Sequence, residues 1–195
     1  MPSTDLQSNP LRPNQREHIL DEALRLMSER GATGTSMRQL ARACDLQVAA
    51  IYHYFPSKDA LLAAVVAERQ YGARLSDPLP VDHDADPGQR LATVFIHVFA
   101  GAMEEQSIWR ILIGEAMRGE AAVLPVGRDL IDLLVPAAIG WVTEAVPEVT
   151  NPDDVAQLMV GQMLTGFIRT VFEPDSDQHL IAAECARPLA ALVED

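Results

Sequence analysis

The chain has 195 residues, 48% of them hydrophobic and 22% charged, with a mean hydropathy near zero, which excludes a disordered or collagen-like protein. A chain of this length can bury about 70% of its unfolded surface, so it needs no disulfide or metal to hold it, and Cys44 and Cys185 stand apart without a CxxC or Cys/His cluster, reading as small apolar residues in a reducing compartment. The net charge of -13 would, if uniform, exclude nucleic acid and anionic membranes as partners; it is not uniform, since residues 1–74 hold 9 basic and 8 acidic side chains and residues 75–195 hold 6 and 20.

Residues 1–12 are polar and proline-rich and read as a flexible arm. They lack the apolar core of a signal peptide, and no uninterrupted apolar run approaches the roughly 20 residues that span a bilayer. A cytoplasmic location with no membrane partner is expected. Asn14 followed by Glu17 resembles a capping box, and Ile19, Leu20, Ala23, Leu24 and Met27 recur at helical spacing until Gly31 supplies a stop. His18 and Glu22, four apart, are expected to pair on the solvated face. Ser36 with Gln39 opens a short helix that ends near Asp45, a residue tolerant of the left-handed conformation. A third helix runs from Gln47 to Tyr54 and is cut off by Pro56, and Ser57 caps a fourth with Leu61, Leu62, Val65 and Val66 on its buried side.

Residues 76–88 hold three prolines and four aspartates and read as a solvated loop; Asp82, His83, Asp84 and Asp86 lack the spacing of metal ligands. Helices are predicted near 87–105, 107–119, 127–146, 153–173 and 177–194, separated by Gly119, Pro125, Pro147, Pro152 and Pro174. Pro136 and Pro188 fall inside two of them and predict kinks or breaks. No segment alternates with period two, so the expected fold class is all-α, with no sheet.

Three helices within the first 55 residues, the second and third short and tightly joined, fit a helix-turn-helix. The segment ILDEALRLMSERGATGTSMRQLARACDLQVAAIYHYFPSKDALL, Ile19 to Leu62, closely resembles the DNA-binding region of the tetracycline-repressor (TetR) family, above all in Ile51-Tyr52-His53-Tyr54-Phe55 followed by Pro56-Ser57-Lys58 and Leu61. The resemblance implies an N-terminal helix-turn-helix head over residues 13–73, with its motif at about 36–55, joined to a helical effector-binding and dimerisation domain over 74–195. It further implies a repressor that binds a near-palindromic operator as a homodimer and is released by a small, largely apolar effector. Thr35, Ser36 and Lys58, the only lysine, would grip phosphates. Tyr52 and His53 would reach the backbone or groove, and Arg38, Gln47, Val48, Ala49 and Ala50 would face the major groove. Arg12 and Arg16 would add contacts from the arm. Tyr54 is expected to pack against the first helix. This chain departs from the family pattern in having Asp45, Gln47 and Ala49 where the family has Gly, Ser or Thr, and Gly, so the particular base contacts do not transfer.

The excess negative charge keeps residues 75–195 away from DNA. This half carries Phe95, Phe99, Met103, Trp109, Ile113, Met117, Trp141, Met163 and Phe167, each of which reads first as core packing; the family resemblance makes them candidates for the effector pocket. Glu115 lies on an apolar stripe and would either meet the ligand or pair with Arg118. The helix near 153–173 is apolar nearly all round, and with 177–194 it is expected to form a four-helix dimer interface. No cofactor or metal is expected. An enzyme is disfavoured, because no nucleophile and base, metal cluster or phosphate loop is present in the sequence. The alternative to a ligand-released repressor is a DNA-binding regulator whose C-terminal domain contacts a protein partner without a small ligand.

Overall fold

The computed structural model describes residues 15–68 and 78–193. The arm over residues 1–12, with Arg12, and the capping residue Asn14 lie outside them. All regular structure among the described residues is helical: α1 (Gln15–Gly34), α2 (Met37–Ala43), α3 (Val48–Tyr54), α4 (Lys58–Glu68), α5 (Pro87–Glu104), α6 (Gln106–Met117), a 3-10 turn (Ala121–Val123), α7 (Leu124–Ala145), α8 (Pro152–Phe172) and α9 (Gln178–Ala191).

The chain divides into two compact units, one of residues up to Arg69 with Ser107–Val123, the other of Gln70–Gln106 with Leu124–Asp195. This differs from the boundary expected at residue 74: α6 and the 3-10 turn after it fold with the N-terminal helices. The 3-10 turn packs on α4, and Glu115 of α6 hydrogen-bonds the end of α1. Both ties join residues distant in sequence, which local periodicity does not report.

In the first unit α1 packs on α4 and α2, and α2 on α3. Ile19, Leu20, Ala23 and Met27 of α1 meet the requirement for a buried helical stripe, together with Leu40, Ile51, Leu61, Leu62, Val65 and Val66. Gly31 takes φ 73 and ψ 161, which breaks α1 as its position predicts. Ser36 and Gln39 form the expected capping box of α2. Asp45 takes φ 54, and the Leu46 N–H donates to the Ala41 carbonyl at 2.8 Å, the wrap-around bond that closes a helix C-terminus. Cys44 is buried beside this turn, and desolvation pushes its thiol up to about 11; burial likewise raises that of Cys185. At pH 8 both therefore remain thiols, the unreactive form. Alkylation by iodoacetamide should be slow in the native protein and rapid after denaturation, and fast native labelling of either cysteine would contradict these placements.

In the second unit α5 packs along α9, α7 on α8, and α8 on α9, with α5 also touching α7 and α8. Asp86 and Asp177 cap α5 and α9 by accepting from the Gln89 and His179 N–H groups at 2.9 and 2.8 Å. In the acidic loop Asp82 accepts from the Asp84 N–H, so Asp82 and Asp86 serve a turn and a cap. α7 begins three residues before the predicted start, because Pro125 sits in its first turn, where a missing N–H costs nothing. α7 and α9 continue through Pro136 and Pro188 without a break; neighbouring helices hold them in place of the lost bond. A side chain at Gly166 would collide with Phe99, so α8 and α5 approach closely there. By length and composition α8 could cross a membrane, with 33% of its most apolar stretch buried. Its outward apolar residues are Leu158, Leu164, Ile168, Val171 and Phe172, and α9 adds exposed Leu180 and Leu192.

Candidate nucleic-acid interface

The two short helices α2 and α3 expose a continuous set of polar and small side chains. Arg38, Gln47, Ala49, Tyr52 and His53 are exposed, and Val48 and Ala50 are half-buried. Ile51 and Phe55 turn inward. This division follows from a seven-residue helix with one buried turn, and it leaves seven of the twelve residues expected to contact DNA on one small helical pair. Gln47 is the N-cap of α3 but makes no side-chain capping bond, so its amide is not committed to the helix. Tyr54 is partly exposed and meets the His53 ring edge-on at 5.4 Å. Arg42 lies four residues beyond Arg38 on the exposed side of α2, a second cation that the sequence reading passed over although the spacing was visible.

Lys58 opens α4, and its Nζ donates to the Thr33 carbonyl at 3.2 Å, which places the ammonium at the corner between α1 and α2 with two further donors. Ser36 is exposed, but its hydroxyl donates to Gln39 Oε1 at 2.9 Å and accepts from the Gln39 N–H at 3.2 Å. Thr35 corrects the expected phosphate contact. It is 3% exposed, and its hydroxyl donates to the Gly31 carbonyl at 3.0 Å, because the break at Gly31 leaves that carbonyl within reach. Arg16 is also committed elsewhere: it ion-pairs with Glu68 of α4 and stacks over the Phe55 ring at 5.2 Å, stitching the head together. The expected His18–Glu22 pair gives way to Arg25, whose guanidinium reaches Glu22 at 2.8 Å and Glu29 at 3.1 Å. A charged fork outcompetes an imidazole for a carboxylate at neutral pH.

The nominated effector residues separate into two groups. Phe95, Phe99, Met103, Trp141, Met163 and Phe167 are buried in the second unit, with Phe95 and Phe99 stacked at 5.9 Å. Of these, Phe99 and Met103 line a cleft of about 140 Å³ bounded also by Ile96, Glu104, His179 and Ala182. Trp109, Ile113, Glu115 and Met117 lie on α6, in the other unit. Met117 is 84% exposed, so it belongs to no enclosed pocket. Glu115 is 1% exposed and pairs with Arg118 at 2.9 Å while accepting from the Ala32 N–H at 2.8 Å, so its oxygen is held by the protein itself. The buried Trp109 Nε1 has no hydrogen-bond partner among the described residues.

These observations define an all-helical protein with a helix-turn-helix head. Residues 19–65 match the model of the bacterial regulatory proteins of the tetR family. The HTH-type transcriptional regulator AcrR of Shigella flexneri is 33% identical over 93 residues, covering 47% of this chain and 43% of that protein; the matched region spans about half the length of such curated relatives. Among solved structures, AibR in complex with isovaleryl coenzyme A and operator DNA is 25% identical with a TM-score of 0.60, covering 93% of this chain and 99% of that one. A TetR-like transcriptional regulator from Rhodococcus sp. RHA1 is 23% identical with a TM-score of 0.67, covering 94% and 97%, and shares the fold. The family match is confined to residues 19–65, the helix-turn-helix head, and over the rest of the chain the likeness is one of fold.

Proposed function

We propose that this protein is a transcriptional regulator, acting as a repressor, that binds a near-palindromic operator as a homodimer and is released by a small effector. The observation that carries the reading is the exposed polar set on α2 and α3, held by a buried apolar core, within the segment that matches the family. Arg38, Gln47, Val48, Ala49 and Ala50 face the major groove in this reading, while Tyr52, His53, Ser36 and Lys58 contact the backbone. Two heads would read half-sites about one helical turn, roughly 34–36 Å, apart or a multiple of it. The outward stripe on α8 with Leu180 and Leu192 of α9 is the candidate dimer surface.

Effector release is supported by the neighbour AibR, whose structure contains isovaleryl coenzyme A and operator DNA, and by the unpartnered indole N–H of Trp109, since buried donors are rarely left unsatisfied. A mostly apolar ligand with one hydrogen-bond acceptor would suit it.

Gel shifts with duplexes selected from a random pool test the DNA reading. Lys58→Ala should weaken binding to selected and random duplexes alike and reduce the salt slope by about one. Gln47→Ala should cost about 1–3 kcal/mol on the selected duplex only. Equal losses on both duplexes for Gln47→Ala would remove it from base reading. Release of the selected duplex by a small apolar ligand would favour the effector over a protein partner.

A further inference from the structure

We propose that Glu115 is a positioning residue for DNA contact: its buried carboxylate clamps the corner between α1 and α2 from which the reading surface starts. The inference rests on the DNA-binding reading above. Gly31 adopts a backbone conformation closed to residues with a side chain, and a Cβ there would stand 3.3 Å from Glu115 Oε1. The same oxygen accepts from the Ala32 N–H at 2.8 Å and from Arg118 Nη1 at 2.9 Å. The next residues are held in sequence: the Thr35 hydroxyl and N–H donate to the Gly31 and Ala32 carbonyls, and Lys58 Nζ to that of Thr33. Ser36 then caps α2. Glu115 reaches this corner from α6, and Arg118, just beyond that helix, stands 3.6 Å from a Cβ built at Gly31.

A carboxylate beside buried Ile108, Ile111 and Leu112 is a costly choice for packing. An apolar residue of similar volume often serves stability as well. What an apolar residue cannot do is accept the Ala32 N–H and so fix where α2 begins. Glu115 thereby sets the position of Arg38 on α2, and of Lys58 against the Thr33 carbonyl.

Glu115→Met and Glu115→Gln in the full chain test this, using a duplex selected by the wild type from a random pool and a random duplex of equal length. Methionine fills the site but accepts no hydrogen bond. It should leave a cooperative melt, weaken binding to the selected duplex at least about tenfold, and flatten the salt slope by about one as the Lys58 contact loosens. Glutamine keeps an oxygen for Ala32 and should bind within about threefold of wild type. Amide exchange at Ala32–Ser36 should accelerate in the methionine variant and not in the glutamine one. Gly31→Ala, which crowds the carboxylate, should reproduce the binding loss and keeps the test open if the methionine variant fails to fold. Wild-type affinity and slope in Glu115→Met or, where that variant does not fold, in Gly31→Ala would overturn the proposal, as would a binding loss with unchanged exchange at Ala32–Ser36. A wild-type chain that selects no duplex at all would instead sink the DNA-binding reading, and this role with it.

Discussion

Gly166→Val is expected to lower the melting temperature by roughly 6–12 °C, the equivalent of about 3 kcal/mol for a chain of this size. A Cβ at this position would lie 2.6 Å from Phe99 Cε2 and 2.8 Å from Cζ. Neither side can yield freely. Phe99 is almost wholly buried and stacked on Phe95, and Gly166 lies within α8, which touches α5, α7 and α9. The ring lines a cleft with Met103 and Ala182, and moving into it would break the stack. Phe99→Leu should therefore recover part of the loss in the double variant. Gly140→Ala is the control, since a Cβ there meets nothing within 4 Å. It should be neutral or stabilising by up to about 1 kcal/mol from helix propensity. Calorimetry decides the matter: a melting temperature for Gly166→Val within two degrees or so of wild type would mean that α5 and α8 are not in this contact.

The second large effect concerns assembly. Leu158, exposed Gly161, Leu164, Ile168 and Val171 recur at three- and four-residue spacing on the outward side of α8, with exposed Phe172 beside them. A stripe of this size left to water is the mark of an interaction surface. Replacing both Leu164 and Ile168 by Asp should convert the proposed dimer to a monomer at micromolar concentration in analytical ultracentrifugation. Because two linked heads bind far more tightly than one, affinity for a two-half-site duplex should fall by about two to four orders of magnitude, while a single half-site is bound as before. A monomeric wild type, or a dimeric double-Asp variant, would remove α8 from the interface.

Much of the fold is legible in the sequence because its signals are local. Ser36 and Gln39 three apart make a capping box, Gly31 stops α1, and the prolines at 87 and 152 begin helices. The exposed faces of α2 and α3 follow from the burial of Ile51 and Leu40. What could not be read was long-range pairing. Nothing near Glu115 in the chain says that its carboxylate meets Ala32, 83 residues away, or that α6 folds with the head. Thr35 shows the same limit. Its hydroxyl suits a phosphate or a carbonyl equally, and only the course of the backbone at Gly31 decides for the carbonyl. Pro136 and Pro188 do not break their helices, since a helix supported on several sides survives one missing bond.

The seven-residue α2 is bounded by two corners of unusual chirality, Gly31 shortly before it and Asp45 just after. Each is closed by bonds to backbone atoms, the Thr35 hydroxyl on one side and the Leu46 N–H on the other. The orientation of α2 is therefore written into its ends, and the outward positions 38, 42 and 43 carry little of the burden of holding it. Such a division favours evolvability. Under the proposed DNA-binding role, the exposed residues of α2 can be exchanged, and the duplex sequence they read with them, while the corners keep the head in one shape.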